Sequence, residues 1–223
     1  MTRVLLIRHG QSEWNADGRW QGQADPPLTD LGRAQAHHAA KALGTVGLIV
    51  ASDLQRAAET ATIIAAELGI GPVELDADLR ERDAGEWSGL TRAEIERDWP
   101  GFLGPPPPVA TKDTVGPAAA ATEAARRSNE PRRRPPGWED DGAVQRRAVA
   151  ALTRIHGRAP EGAVIGVTHG GLIYELEAMF DAPFQRLPNL GGRWVEVGGD
   201  GPTSLGDRVV LVDPGEVTIP NQI

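Results

Sequence analysis

Two stretches of this chain end an apolar run on a histidine followed by glycine, and they constrain the fold more than any other feature. Val4-Leu5-Leu6-Ile7 leads into Arg8-His9-Gly10, and Ala163-Val164-Ile165-Gly166-Val167-Thr168 leads into His169-Gly170-Gly171. Short uninterrupted apolar runs rich in β-formers read as strands buried on both faces, the habit of parallel sheets covered by helices. Such sheets present functional groups at the carboxyl ends of their strands, where a glycine lets the backbone turn out of the hydrophobic layer. Arg8 offers a planar fork suited to a phosphate or carboxylate, and His9 offers a nitrogen that is largely neutral near physiological pH. Taken alone, Arg8-His9-Gly10 fits equally well a strand end with ordinary hydrogen-bonded polar residues.

Strand and helix signals alternate along the rest of the chain. Thr29 or Asp30 can cap a helix over Leu31 to Leu43, stopped by Gly44, and Val46 to Val50 is a second strand. Its end runs through Ser52-Asp53-Leu54-Gln55 into a helix over Arg56 to Leu68, which puts Arg56 in a first helical turn, where anions are favoured. Pro72 to Leu75 reads as a third strand, Arg92 to Trp99 as a short helix capped by Thr91, Gly142 to His156 as a longer one, and Leu172 to Phe180 as the helix after the second histidine. Arg193 to Val197 and Val209 to Val212 read as closing strands, and the tail after Pro214 as loosely held. His37, His38 and His156 lie on helices and read as surface or boundary residues.

The expected fold is therefore α/β: a three-layer α/β/α sandwich with a mostly parallel central sheet. At 223 residues the chain has room for one such domain, 1–223, and an insertion. The insertion spans about 101–141, where Pro105 to Pro108, Ala118 to Ala121 and five arginines (Arg126, Arg127, Arg132, Arg133, Arg134) break the regular pattern. A lid that contacts an anionic substrate would need such a composition, a solvated basic loop fits it too, and Trp138 can anchor it.

A net charge of −8 disfavours nucleic acid and anionic membranes as partners, so any anion must be met locally. The lack of cysteine excludes disulfides and thiolate chemistry. No leader segment or membrane-length run is expected at the amino terminus or elsewhere, which sets a cytoplasmic expectation.

Neighbouring parallel strands bring residues distant in sequence to one sheet edge. The combination of Arg8-His9-Gly10 with Ser12 and Asn15, Ser52-Asp53-Leu54-Gln55-Arg56 with Thr60-Ala61, Leu79-Arg80-Glu81 with Gly85-Glu86-Trp87-Ser88-Gly89-Leu90, and Thr168-His169-Gly170-Gly171 resembles the histidine phosphatase superfamily, in its phosphoglycerate mutase-like branch. The resemblance implies a nucleophile at His9, which forms a phosphohistidine. It implies Arg8, Arg56 and His169 around the phosphoryl oxygens, with Asn15 and the Gly170 N–H as further donors, and Glu81 as acid and then base, with Asp83 its rival. Gln21 would touch the substrate phosphate or its neighbouring hydroxyls. No cofactor and no metal are implied.

Mutases of this family usually carry Glu-Arg-His-Tyr-Gly at the acid loop, whereas here it reads Glu81-Arg82-Asp83-Ala84-Gly85, and the following Gly85-Glu86-Trp87-Ser88-Gly89 is like the phosphatases. The Trp20-Gln21-Gly22-Gln23-Ala24-Asp25 loop and Leu190-Gly191-Gly192 are similar to those of glucosyl-3-phosphoglycerate phosphatases, from which the proline- and arginine-rich insertion departs. The expected activity is metal-independent hydrolysis of a small phosphomonoester of the sugar phosphate or phosphoglycerate type. A cofactor-dependent phosphoglycerate mutase is the alternative, and an inactive binder of phosphorylated ligands a third reading. The expected partner is a small phosphorylated metabolite, with no nucleic acid and no membrane, and a homodimer is a candidate assembly.

Overall fold

The computed structural model describes residues 1–103 and 133–220. Most of the expected lid lies outside the described residues, including the arginines at 126, 127 and 132. Six strands form one sheet in the order β3-β2-β4-β1-β5-β6. Strands β1 (Thr2–Arg8), β2 (Leu48–Ala51), β3 (Glu74–Leu75) and β4 (Gly162–Thr168) run parallel, and β5 (Gly191–Gly198) and β6 (Gly201–Val210) join antiparallel on one side. The expected third strand shrinks to two residues.

Why the sheet is covered on both faces is visible in β1. Successive residues of a strand point to opposite faces. Val4 and Leu6 join one core with α5 (Asp141–Arg158) and α6 (Gly170–Ala178), through Val144, Leu152, Leu172 and Ile173. Leu5 and Ile7 join the other core with α2 (Asp30–Ala42) and α3 (Gln55–Leu68), through Ala39, Ala57, Ala61 and Ile64. Three layers result, as expected. A smaller cluster forms beside α4 (Arg92–Asp98), where Trp20, Trp87 and Trp138 meet edge-on with centroids 5.4 to 5.9 Å apart. Trp138 thus anchors the carboxyl-terminal flank of the insertion against Trp20 and Trp87.

The caps fall where side-chain chemistry puts them. Thr29 accepts from Gly32 N at the start of α2, Asp140 from Ala143 N at the start of α5, and Thr91 forms a capping box with Glu94 on α4. The remaining short helix, α1 (Glu13–Ala16), is capped by Ser12, with Asn15 completing its box.

Three expectations about the carboxyl-terminal half are corrected. Helix α6 starts at Gly170, directly after His169, not at Leu172; two glycines mask a helix start that the strand end imposes. β6 begins at Gly201, because it pairs with β5 as a hairpin edge whose outer face is polar, and it ends before Leu211. In the tail beyond Pro214, Glu216 and Thr218 are not loosely held. Gln35 Nε2 donates to Glu216 O at 2.8 Å, His38 Nδ1 lies 2.6 Å from a Glu216 carboxylate oxygen, and Asn189 N donates to Thr218 O at 3.0 Å. His37 pairs with Glu67 and His156 with the Thr2 hydroxyl, so neither reaches the histidines at the strand ends.

Candidate active site

Strand register assembles the site. Arg8 is level with Thr168 and Ala51 with Val167, so β1, β4 and β2 end together. The ladder runs one step further: His9 N donates to Thr168 O at 3.0 Å and Ser52 N to Val167 O at 2.9 Å. His9, His169 and Ser52 therefore emerge side by side, and the two imidazoles meet edge to face with centroids 5.1 Å apart. The turn after His9 depends on close backbone approach, since a Cβ on Gly10 would lie 2.5 Å from Gly32 O on α2.

His9 has a defined tautomer. Its Nδ1 lies 2.6 Å from Gly10 O, and a carbonyl only accepts, so Nδ1 carries the proton. Nε2 keeps its lone pair, and Arg56 Nε donates to it at 3.2 Å. His169 is tied by Nε2 to Ser52 Oγ at 2.8 Å, while its Nδ1 is buried without a partner. Burial, then the positive charge of Arg56, holds both imidazoles well below the ordinary histidine pKa, with His9 lowered further by Arg8 and His169 by His9 and Arg8. Both rings are neutral in the empty site.

Arg8 is 5% exposed and Arg56 fully buried. Arg8 Nη1 donates to Leu187 O at 2.8 Å and its Nε is unpartnered. Arg56 donates to Ala24 O at 2.7 Å and Gly22 O at 3.0 Å, and burial above all pushes its pKa down to about 10, against the opposing pull of Glu81 and Asp25. Neither has a carboxylate at ion-pair distance among the described residues. Elsewhere the charges are matched: Arg80 with Asp53 at 2.5 Å, Arg82 with Asp141 and Glu175 at 2.7 and 2.5 Å, and Arg147 with Glu139 at 2.7 Å. Two buried cations without a counter-ion among the described residues, beside two neutral imidazoles, can meet an anion with several oxygens.

Glu81 reaches the same place. Its carboxylate accepts from Gly171 N at 3.1 Å and Arg82 N at 2.8 Å, and a Cβ on Gly171 would lie 2.2 Å from its Oε1. Asp83 does not: its Oδ1 accepts from Gly85 N at 2.9 Å, closing its own loop. The two arginines flanking Glu81 are engaged by other carboxylates, so neither pairs with it.

Of the remaining expected residues, Gly170 lies against the Arg8 guanidinium, which a Cβ there would meet at 3.4 Å. Asn15 keeps Nδ2 buried and unpartnered while its Oδ1 accepts from Ser12 N at 3.3 Å. Gln21 is brought beside them, its Oε1 accepting from Ser12 Oγ at 2.7 Å. Three residues had no role assigned from sequence. Ser52 holds His169. Thr60 Oγ1 accepts from Gly10 N at 3.1 Å and donates to Arg56 O at 2.7 Å. Asn189 donates to His9 O at 2.9 Å. The first two stood inside the quoted motifs; Asn189, in an irregular loop after Pro188, offered no periodic signal.

Together the fold and this edge define the class: the chain belongs to the histidine phosphatase superfamily (branch 1), whose family model matches residues 4–106 and 110–198. Within it, the chain is 36% identical over 209 residues to the glucosyl-3-phosphoglycerate phosphatase of Mycobacterium tuberculosis, covering 88% of this chain and 85% of that protein. It is also 43% identical over 106 residues to the 2,3-bisphosphoglycerate-dependent phosphoglycerate mutase of Methylocella silvestris, covering 44% of this chain and 52% of the mutase. Among solved structures it resembles a mycobacterial glucosyl-3-phosphoglycerate phosphatase complexed with VO3, at 30% identity and TM-score 0.70, covering 91% of this chain and 96% of that one. Among the described residues no helix is long and apolar enough to cross a membrane.

Buried neutral histidines make the empty protein acid-sensitive. Between their lowered native pKa values and the ordinary value near 6.5, the unfolded chain binds protons that the native state does not. Stability therefore rises with pH through that window and is lost as pH falls below about 6.5, at about 1.4 kcal/mol per pH unit for each ring. Denaturant unfolding of wild type and His169→Gln at pH 5.5 and 6.5 measures this. The variant's slope should be shallower by about one ring's share, and equal slopes would show that His169 is not held neutral.

Proposed function

We propose that this protein hydrolyses a small phosphomonoester through a phosphohistidine on His9. One observation carries the reading: His9 presents a lone pair on Nε2, in a fixed tautomer, between two buried arginines that have no counter-ion among the described residues. In the first step Nε2 attacks phosphorus and the P–O ester bond breaks, with Glu81 giving its proton to the departing alkoxide. The imidazole becomes cationic and keeps its Nδ1–H on Gly10 O. In the second step Glu81 takes a proton from water, the water oxygen attacks phosphorus, and the P–N bond breaks to free phosphate and restore His9.

Arg8, Arg56, His169, Asn15 and the Gly170 N–H surround the phosphoryl oxygens and stabilise the charge spreading over them. Arg56 Nε, which caps the His9 lone pair in the empty site, transfers to a phosphoryl oxygen when substrate enters. Two arginines supply the positive charge a metal supplies in other phosphoryl-transfer enzymes, so activity should persist in EDTA. Gln21 faces the same anion or its neighbouring hydroxyls. The substrate is a small sugar phosphate or phosphoglycerate type ester, which sets the protein in the cytoplasm, where such metabolites are made. Similarity over most of the chain to a glucosyl-3-phosphoglycerate phosphatase supports hydrolysis over mutase chemistry, for which the similarity spans less than half of the chain.

Incubation with p-nitrophenyl phosphate and EDTA tests the reading, with steady release of phosphate as the expected result. No release, together with interconversion of phosphoglycerate isomers, favours the mutase alternative. Glu81→Gln should lower kcat on an alkyl phosphate by about a hundred- to ten-thousand-fold. The loss on p-nitrophenyl phosphate should be smaller, since that leaving group needs little protonation. Equal losses on both esters would remove Glu81 from the acid role.

A further inference from the structure

Asn15 would be useful to a phosphoryl group only if its amide turns the N–H2 end inward, and the structure shows what decides that. Ser12 N can only donate, and it points at Asn15 at 3.3 Å, so the atom it meets is Oδ1. The same oxygen accepts from Asn189 Nδ2 at 3.2 Å. Asn189 in turn has its polarity set from both ends. The His9 carbonyl can only accept, so it meets Nδ2, at 2.9 Å. At the other end, the Thr218 hydroxyl accepts from Gln35 Nε2 at 3.0 Å, which leaves its single proton for Asn189 Oδ1 at 2.9 Å. Asn189 N also donates to Thr218 O at 3.0 Å, so the tail grips this residue by side chain and backbone. Along this relay from Gln35 through Thr218 and Asn189 to Asn15, the amide and hydroxyl groups are paired until the last, Asn15 Nδ2, which is buried without a partner. Asn189 is itself fully buried.

We propose that Asn189, locked by Thr218 of the carboxyl-terminal strap, is a positioning residue that turns the Asn15 amide N–H2 onto the phosphoryl oxygens. Neither Asn189 nor Thr218 touches substrate; they act on the phosphoryl group through Asn15. The proposal rests on the reading of the pocket as a phosphate site, but binding of phosphate tests it without turnover.

Inorganic phosphate is titrated calorimetrically into wild type, Thr218→Val, Thr218→Ser, Asn15→Ala and the double variant Asn15→Ala/Thr218→Val, with p-nitrophenyl phosphate turnover measured in parallel. Asn15→Ala should weaken phosphate about tenfold or more, as expected for losing a hydrogen bond to a charged group. Thr218→Val should weaken it about three- to tenfold, and Thr218→Ser, which keeps the hydroxyl, should bind like wild type. In the Asn15→Ala background Thr218→Val should have no further effect, whereas a general structural role would carry its full factor into the double variant. Wild-type affinity in Thr218→Val overturns the relay, as does an undiminished loss in the double variant. Thr218→Ala gives the same comparison should the valine fold poorly. Wild type that binds phosphate but releases none from the ester defeats the hydrolase reading alone, and the relay is still decided by the binding series. Wild type that binds no phosphate overturns both.

Discussion

Replacing His9 with alanine should reduce turnover by at least about ten-thousand-fold, the scale seen when a nucleophile is removed and only binding and charge stabilisation remain. Binding should survive. Arg8 is held by Leu187 O, and Arg56 by Ala24 O and Gly22 O, so both keep protein acceptors when the imidazole is gone. The variant should therefore bind phosphate within about tenfold of wild type, because the bonds His9 loses are made mainly along the reaction and not in the ground state. Progress curves at high enzyme concentration, paired with a phosphate titration, separate the two quantities. Loss of binding with turnover only proportionally reduced would mean that His9 is a structural or binding residue and that another group attacks phosphorus.

Arg56 carries the second large effect. Its side chain spans three acceptors in one planar fork, a geometry that lysine cannot reproduce. Arg56→Met should lower kcat/KM by about a thousand- to a hundred-thousand-fold, the range for arginines that meet charge developing on a transferring phosphoryl group. Stability should move far less. The drop in Arg56's pKa to about 10 corresponds to about 3 kcal/mol against the charged form in the folded state, which methionine removes. Against that stand two loop carbonyls losing a donor, about 1–3 kcal/mol each. The terms oppose and are of similar size, so thermal denaturation of the empty variant should lie within a few degrees of wild type. A collapse in stability matching the loss in activity would show that Arg56 is there to hold the Trp20 to Asp25 loop rather than to meet an anion.

Much of the candidate site was legible because strand ends in a covered parallel sheet are places where functional groups gather. The positions of Arg8, His9 and His169 at strand ends follow from apolar runs that end in polar residues, their roles came only with the family resemblance, and the equal ending of β1, β2 and β4 needs only ladder hydrogen bonds. Arg56 was legible as a first-turn helix residue, but its complete burial was not, since helical periodicity places an arginine on a face without saying what covers that face. The family resemblance put Glu81 ahead of Asp83 as the acid, although both are carboxylates in one charged loop; in the fold Glu81 accepts from Gly171 N beside the histidines, whereas Asp83 closes its own turn at Gly85.

The misread parts share a cause. β6 is an edge strand whose outward residues are polar, so the alternation that reveals a half-buried strand is weak from Thr203 to Arg208. The tail beyond Pro214 is fixed by matched amides and hydroxyls, Gln35 with Glu216 and Thr218 and Asn189 with Thr218, and such pairings leave no periodic mark in a sequence. Of the expected lid, the described flanks show Trp138 seated between Trp20 and Trp87, with Glu139 N donating to Asp83 O at 3.1 Å. The carboxyl-terminal flank of the insertion thus closes directly onto the loop that carries Glu81.

The most direct measurement is trapping of the phosphoryl-enzyme. The protein is mixed with p-nitrophenyl phosphate, quenched under alkaline denaturing conditions that preserve phosphohistidine, and digested for mass spectrometry, with phosphorus NMR of the intact denatured chain to locate the nitrogen. The peptide containing His9 should carry the phosphoryl group, on Nε2, because Nδ1 is committed to Gly10 O. A label on His169, on a carboxylate or hydroxyl, or on Nδ1 of His9, or continued hydrolysis with no labelled peptide at all, would contradict the account.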